Sequence, residues 1–385
     1  MRDDTRVGEE CYRLFTPGPG NLSPQVRSAL AARDWGSRDA DFKVLTDSVR
    51  RGLLGLLDDP SGVDCVLLPG SGTSVVEAAL TSLVPRRGSV LVVVNGAYGE
   101  RMAEIVSRSG RPVITLELPY TRAVSATALD EALSKHGSVS HVAFVHAETT
   151  AGVLNPLDAL IDVCGARGKR VLIDAMSTFG ALPMPTAGRF MHVDAIMASA
   201  NKCLQGAPGV AFAFVSQASI RNAAGNASTL SLDLHAQWLN FHETGEWRFT
   251  PPTHVVAALN AALEELEREG GASARLHRYQ AMHDIVVDGL QALGFPMLVP
   301  KPERAPVIAT FGSGPLAEDE IPNFLRRLRA RGCIAYPGKL SATRCFRVGF
   351  LSALTSVHAS EFVQIVGQVL KGDFRGDLHE RIAEY

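Results

Sequence analysis

The sequence contains no apolar run that approaches the roughly 20 residues a membrane-spanning helix needs. Hydrophobic residues nevertheless make up 46% of the 385 residues, which is ample for a large buried core. The first ten residues are polar and charged, and they lack the apolar centre of a secretion signal. We therefore expect a cytoplasmic protein with no membrane contact.

A large excess of charge of either sign is also missing. The sequence has 38 Lys and Arg residues against 40 Asp and Glu residues, which gives a net charge of −2 with neutral histidines. Because nucleic acids attract strongly basic surfaces, we expect no nucleic-acid partner. The six cysteines lie far apart and form no CxxC pair, so we expect neither a metal site nor a disulfide framework.

What the sequence does contain, from about residue 63 to residue 215, is an alternation of short apolar runs with helical patterns. The expected strands are Val63–Leu68, Ser89–Val94, Val113–Leu118, His141–His146, Arg170–Asp174, Ala195–Ser199 and Val210–Val215. These runs are almost continuously apolar rather than alternating, which is typical of strands buried on both faces. The pattern predicts an α/β fold with a mainly parallel sheet covered by helices.

The pattern changes after Thr250-Pro251-Pro252, where two long helical segments precede a smaller α+β region. We expect an N-terminal segment over residues 1–13 and a large domain over 14–255. A small C-terminal domain over 256–372 and a charged tail over 373–385 would follow.

Ligands of open α/β sheets bind at the carboxyl ends of the strands, so the loops after the strands are the places to search. Gly70-Ser71-Gly72-Thr73 follows one strand and opens a helix, and its backbone amides and hydroxyls predict a phosphate site. A simple capped turn remains the alternative. Tyr98 follows the next strand, where it could lie over a flat ring or simply pack in the core.

Two ionisable residues also follow apolar strands. Asp174 ends one strand, and a buried carboxylate is costly unless a cation or a proton donor meets it. Lys202 follows another strand, and loss of water lowers the pKa of a lysine and makes its amine a nucleophile toward carbonyls. Either residue alone could be structural.

Together with the glycine-rich loop, this pair suits pyridoxal 5′-phosphate. Lys202 would bind the aldehyde of this cofactor, Asp174 would keep its pyridine nitrogen protonated, and residues 70–73 would hold its phosphate. Arg347 lies among apolar residues of the predicted small domain, and its paired donors could bind an oxyanion. We interpret Arg347 as the ligand of the substrate's anionic group, with a structural ion pair as the alternative.

Residues 70–73, Tyr98, Asp174 and Lys202 belong to ten stretches that resemble class V aminotransferases of fold type I. The resemblance runs over about residues 13 to 350. The stretches are Phe15–Pro19, Asp34–Ser37, Gly70–Thr73, Asn95–Gly99, Asn155–Leu157, Asp174–Ser177, Ser199–Leu204, Gln237–Trp238, Trp247–His254 and Tyr336–Leu340. The resemblance implies a pyridoxal-phosphate-dependent transferase that forms a homodimer with active sites at the subunit interface.

The resemblance also assigns residues. Those implied to bind the cofactor are Ser71, Gly72, Thr73, Tyr98, Thr149, Asp174 and Lys202, joined by Thr250 or Thr253 from the neighbouring subunit. Those implied to lie near the substrate are Gly18, Trp35, Arg38 and Arg347. Arg38 stands where the family usually has an aromatic residue, so the extra cation could alter which anionic amine is preferred.

The lysine context and Trp247–His254 resemble the phosphonate-using branch of the family. This implies transfer of the amino group of 2-aminoethylphosphonate to pyruvate, which gives phosphonoacetaldehyde and L-alanine. The alternatives are a class V aminotransferase of the alanine or serine type that uses glyoxylate or pyruvate, and a lyase acting on a substituted aminoethylphosphonate. A cofactor-binding or regulatory module without turnover is disfavoured, because we find no DNA-binding segment or extra domain to support it. A nucleotide-binding α/β protein is disfavoured because it would not need Lys202 and Asp174 at strand ends.

Overall fold

The computed structural model describes residues 12–185, 187–340 and 343–372. The predicted tail over 373–385 and the first eleven residues of the predicted N-terminal segment lie outside the described residues. No helix within the described ranges is both long enough and apolar enough to cross a membrane.

The strands are numbered along the chain. They are β1 (Arg13–Leu14), β2 (Val63–Gly70), β3 (Val90–Val94), β4 (Val113–Glu117), β5 (His141–Val145), β6 (Ala147–Glu148), β7 (Val153–Leu154), β8 (Arg170–Asp174), β9 (Val193–Ser199), β10 (Gly209–Ser216), β11 (Ile308–Gly312), β12 (Cys333–Ile334), β13 (Tyr336–Pro337) and β14 (Cys345–Gly349).

Helices cover both sides of the main sheet and build the C-terminal region. They are α1 (Pro24–Leu30), α2 (Ala40–Leu54), α3 (Gly72–Ser82), α4 (Ala97–Arg108), α5 (Ala126–Lys135), α6 (Leu157–Ala166), α7 (Ala187–Phe190), α8 (Gln217–Arg221), α9 (Leu234–Thr244), α10 (Thr253–Glu269), α11 (Gly271–Ala292), α12 (Ile321–Arg329) and α13 (Ser356–Lys371). Short 3₁₀ turns span Lys301–Glu303 and Glu318–Glu320.

The main sheet has the strand order β2-β10-β9-β8-β5-β3-β4 among the described residues. Only β10 runs against its neighbours, and the other six strands are parallel to one another. The central strands β3, β5 and β9 are buried at every residue, as their continuously apolar sequences require. The prediction of a mainly parallel, helix-covered sheet is therefore confirmed.

Two large apolar clusters form the core. The first lies around the main sheet, and the second includes Phe295, Phe311 and Phe346 of the C-terminal region. Helix α10 begins near the predicted domain boundary at residue 255 but buries Val256 and Leu259 in the first cluster. The division into a large and a small domain remains a proposal, and this packing favours counting α10 with the larger one.

A buried polar network joins the C-terminal helices to the loop that follows β9. Arg275 of α11 is 2% exposed, donates to the Cys203 carbonyl at 2.8 Å and pairs with Glu269 at 2.7 Å. Arg278 also pairs with Glu269, at 2.8 Å, so two guanidinium groups share one carboxylate. The network fixes the backbone immediately after Lys202.

We predict that Glu269→Ala lowers the free energy of unfolding by about 3 kcal/mol, because it leaves the buried Arg275 charge without its carboxylate. Urea denaturation of the two proteins measures the difference. Asp47→Ala is the matched control, since Asp47 pairs with Arg51 on an exposed helix face and should cost under about 1 kcal/mol. Equal losses in the two variants would contradict the prediction.

Candidate active site

A cavity of about 520 Å³ opens at the carboxyl ends of the parallel strands. The strands deliver polar residues to this edge, whereas the apolar lining is mostly small. Its lining includes Gly70, Ser71, Gly72, Thr73, Tyr98, Arg101, Thr149, Asp174, Asn201 and Lys202. The structure thus brings together most of the residues predicted to bind a cofactor.

The glycine-rich loop forms one end of the cavity. Gly70 ends β2 with a φ of 128°, a left-handed conformation that favours glycine. A Cβ atom on Gly72 would lie 2.4 Å from the Met176 sulfur, so a larger residue here would displace the Met176 side chain from the cavity wall. Ser71 precedes α3 and its side chain makes no capping hydrogen bond, which leaves the first amides of the helix facing the cavity. This arrangement suits a phosphate group.

Lys202 lies in a turn after β9, closed by a hydrogen bond from the Gly206 amide to the Ala200 carbonyl. Its ammonium Nζ donates to the Pro17 carbonyl at 2.6 Å. Gly18 is needed beside it, because a Cβ atom there would lie 2.6 Å from Nζ. Burial, opposed by the attraction of Asp174, lowers the pKa of Lys202 to about 8. The amine therefore loses its proton far more readily than that of an exposed lysine.

Asp174 ends β8 and is 5% exposed. One carboxylate oxygen accepts from the Met176 amide at 2.9 Å, and no side chain among the described residues donates to the carboxylate. Burial raises the pKa of Asp174 to about 6, with a further contribution from the charge of Glu148. A buried carboxylate at a cavity wall without a side-chain partner fits a protonated ring nitrogen of a bound molecule.

Tyr98 is held at the cavity by the start of α4. One oxygen of the fully buried Glu148 carboxylate accepts from the amides of Tyr98 (3.2 Å) and Gly99 (3.3 Å). The other accepts from the amide and hydroxyl of Thr150, at 3.0 and 2.7 Å. Because Thr149 lies between these two capping residues, the same contacts fix Thr149 in the cavity wall. Glu148 is a positioning residue that sequence reasoning missed.

Two further cations lie beside Tyr98. The guanidinium carbon of Arg101 is 5.0 Å from the centre of the Tyr98 ring, and Nζ of Lys339 is 5.3 Å from it. Arg101 also donates to the Thr73 hydroxyl at 3.1 Å. The spacing of Tyr98 and Arg101, three residues apart on one helix, was the available signal for Arg101. Lys339 lies in the Tyr336–Leu340 stretch that carries the family resemblance, but nothing in the sequence assigned it a role.

Arg347 contacts the backbone of Thr149, a residue of the cavity wall, without lining the cavity itself. It lies on β14, is 4% exposed, and donates to the Thr149 carbonyl at 2.9 Å and to the Pro337 carbonyl at 3.2 Å. Among the described residues it forms no ion pair with a carboxylate, so the alternative of a structural ion pair finds no support. Its predicted role as the anion ligand stays a prediction.

Besides Gly18 and Arg347, four predicted residues do not line this cavity in the single chain. Trp35 is half-buried under the Arg33 guanidinium, which lies 3.7 Å from the centre of its ring. Arg38 binds Glu246 at 2.7 Å and the Trp247 carbonyl at 2.6 Å, so it fixes the segment that leads to Thr250. Thr250 is exposed, and Thr253 begins α10. The roles of all four remain predictions.

Comparison with known proteins agrees with the predicted class of enzyme. The family model described as aminotransferase class-V matches residues 28–339. The chain is 44% identical over 358 residues to the 2-aminoethylphosphonate–pyruvate transaminase of Pseudomonas putida, which covers 93% of this chain and 96% of that protein. It is 42% identical over 365 residues to the protein of the same name from Pseudomonas aeruginosa, with 95% and 98% covered.

Solved structures show the same fold. The alanine–glyoxylate aminotransferase of Nostoc sp. superposes with a TM-score of 0.85 at 24% identity, covering 96% of this chain and 99% of that one. The pyridoxamine–pyruvate aminotransferase of Mesorhizobium loti gives a TM-score of 0.84 at 22% identity, with 94% and 93% covered. The chain belongs to the class-V aminotransferase family.

Enzymes of this family depend on pyridoxal phosphate, and the residues described above fit that group. The open amides of α3 suit the phosphate, and the unpartnered Asp174 carboxylate suits the ring nitrogen. The Lys202 amine and the Tyr98 ring lie in the wall of the same cavity. The class of enzyme and its cofactor, predicted from the sequence, are confirmed.

We predict that Asp174→Asn stabilises the cofactor-free protein at pH 7. The pKa of Asp174 is about 6 in the folded protein, against the ordinary value of 3.8 in the unfolded chain. Ionisation of Asp174 therefore destabilises the folded state. That cost is absent below pH 3.8 and fully present above pH 6, where it reaches about 3 kcal/mol. Denaturant unfolding at pH 4 and pH 7 measures it, with the exposed Asp58→Asn as control. A gain that does not depend on pH would contradict the assignment.

We also predict that Glu148→Gln lowers the free energy of unfolding by about 2 to 4 kcal/mol, because the amide nitrogen cannot accept the hydrogen bonds that one carboxylate oxygen accepts. Thermal and urea unfolding measure the loss. Glu104→Gln is the control. Glu104 lies on the exposed side of α4, so this change removes the pair with Arg108 and should cost under about 1 kcal/mol. If Glu148→Gln were as stable as this control, the capping role would be wrong.

Proposed function

We propose that the protein transfers the amino group of 2-aminoethylphosphonate to pyruvate, giving phosphonoacetaldehyde and L-alanine. The observation that carries this proposal is the 44% identity, over almost the whole of both chains, to a Pseudomonas putida protein named for that reaction. The site supports it, because a nucleophilic lysine, a buried carboxylate and the guanidinium of Arg101 line one cavity.

We assign the cofactor-binding roles as follows. Ser71, Gly72 and Thr73 hold the phosphate of pyridoxal phosphate, and Tyr98 lies against its ring. Asp174 accepts the hydrogen bond of the protonated ring nitrogen, and Thr149 lies near the ring hydroxyl. The cofactor supplies an aldehyde that takes up the amino group and a cationic ring that withdraws electrons from the reacting carbon.

Lys202 has two roles in this proposal. Its amine would hold the cofactor aldehyde between reactions, and the free amine would accept the proton of the substrate carbon that bears nitrogen. A pKa of about 8 gives nearly equal amounts of free amine and ammonium at pH 8. The Pro17 carbonyl, 2.6 Å from Nζ, orients the amine, and the absence of a side chain at Gly18 leaves room for it to move.

Arg347 is the proposed ligand of the anionic group of each substrate. Its side chain is pinned by the Thr149 and Pro337 carbonyls, so its guanidinium is held in one orientation. The same site has to accept a phosphonate from the amino donor and a carboxylate from pyruvate. We place Gly18 beside the substrate because it adjoins Lys202. Trp35 and Arg38 are proposed to act near the entrance.

We further propose that the enzyme is a cytoplasmic homodimer. Leu230 is 73% exposed and Phe249 is 44% exposed, so large apolar side chains flank the segment that Arg38 fixes. In the proposed dimer this segment covers the neighbouring cavity. Thr250 or Thr253 then reaches the phosphate bound by the other subunit.

Product analysis tests the reaction. The protein is incubated with 2-aminoethylphosphonate and pyruvate, and alanine and phosphonoacetaldehyde are measured; equal amounts are expected. A panel of donors that includes alanine and serine is run in parallel. Preference for a carboxylate-bearing donor would contradict the proposed substrate, and ammonia without alanine would indicate a lyase.

Lys202→Ala should lower the turnover number by several powers of ten, since it removes both the covalent anchor and the proton acceptor. Lys169→Ala is the matched control, because that half-buried lysine donates to the Gly137 carbonyl, does not line the cavity and should keep the wild-type rate. Turnover of Lys202→Ala within tenfold of wild type would show that another residue performs the chemistry.

A further inference from the structure

Three cations lie around Tyr98 with one buried carboxylate, that of Glu148, whose oxygens already accept from the amides of Tyr98, Gly99 and Thr150. Arg101 and Lys339 lie 5.0 and 5.3 Å from the centre of the ring, and burial together with the charges of Arg347 and Arg101 lowers the pKa of Lys339, against the opposing charge of Glu148. None of the three forms an ion pair with an acidic side chain among the described residues. Like charges gathered in this way repel one another, and a bound anion would relieve that repulsion.

The three cations differ in which of their donors are engaged. Arg101 is bonded to Thr73, on the phosphate-binding side of the cavity. Arg347 uses two nitrogens on the carbonyls of Thr149 and Pro337. Within the described ranges the Lys339 ammonium donates to no protein acceptor, and it lies over the Tyr98 ring. All three of its N–H groups are therefore available to a ligand.

Lys339 is also tied to Arg347 by the backbone. Strand β13 pairs with β14 so that Tyr336 lies opposite Arg347, and the Pro337 carbonyl accepts from Arg347 Nε at 3.2 Å. Lys339 follows two residues later. The two cations thus come from one small antiparallel sheet, and they reach the cavity wall at Tyr98 and Thr149.

We propose that Lys339 is a specificity-determining residue that provides, beside Arg347, the second positive charge for a doubly charged tetrahedral group on the amino donor. This inference rests on the proposed function. A guanidinium alone matches a carboxylate or a singly charged sulfonate nearly as well as a phosphonate. An added ammonium strengthens binding of the dianion about twice as much as that of a monoanion of the same shape, because Coulomb attraction scales with charge.

The test compares two unreactive anions of the same shape. The dissociation constants of ethylphosphonate and ethanesulfonate for the holoenzyme are measured by calorimetry, at a pH at which the phosphonate carries two charges. Wild type should prefer ethylphosphonate. Lys339→Met should weaken ethylphosphonate binding about 10- to 100-fold and ethanesulfonate binding about 3- to 10-fold, since the monoanion loses half the attraction, and Lys339→Arg should restore most of the preference.

Lys135→Met is the matched control. It removes the same charge from an exposed position at the end of α5, before β5 and therefore at the opposite edge of the sheet, and it should change neither constant. In steady-state assays Lys339→Met should raise the KM for 2-aminoethylphosphonate with little change in kcat.

Two results would overturn the proposal. One is an equal effect of Lys339→Met on both anions, or none on either. The other is a loss of affinity for pyridoxal phosphate with the anion preference unchanged, which would assign Lys339 to the cofactor. Failure of the proposed function looks different: wild type would then form no alanine from 2-aminoethylphosphonate and pyruvate, while the effect of Lys339 on anion binding could still be measured.

Discussion

The site depends on keeping the Lys202 amine and the Asp174 carboxylate out of bulk water at one edge of the sheet. Burial shifts the two pKa values toward each other, to about 8 and about 6, and so favours the uncharged form of each group. The parallel strands β8 and β9 lie side by side, with Asp174 opposite Met197, so both groups emerge at the same edge. The fold supplies the energy for this placement through its continuously apolar strands.

The surrounding structure restricts how these groups can move. The loop after Lys202 is held by Arg275, and Tyr279 and Gln205 form a further hydrogen bond of 2.7 Å at the same place. On the other side of the cavity, Glu148 fixes the start of α4. Tyr279 belongs to the second apolar cluster, and Tyr98 packs against the first. The cavity therefore requires the C-terminal region as well as the main sheet. Preorganisation of this kind is what electrostatic catalysis needs.

The sequence predicted features that depend on local pattern. Continuous apolar runs identified the buried strands, and residues directly after them, such as Lys202 and Asp174, could be placed at the ligand-binding edge. Contacts between distant segments left no such pattern: the capping of Tyr98 by Glu148 joins residues 50 positions apart, and the contact of Lys339 with Tyr98 spans still more of the chain. Helix α10 begins near the predicted domain boundary, yet only its tertiary packing shows which core it joins. The sequence predicts that Arg38 lies near the substrate. In the single chain its guanidinium binds Glu246 and the Trp247 carbonyl, contacts that no local pattern indicates.

The central claim is that the amine of Lys202 is the group that binds the cofactor covalently. Reduction of the holoenzyme with borohydride fixes such a link permanently, and mass spectrometry of the digested protein then locates it. The account predicts one pyridoxyl group per chain, on the peptide that contains Lys202. A label on Lys339 or another lysine, or no label at all, would contradict it.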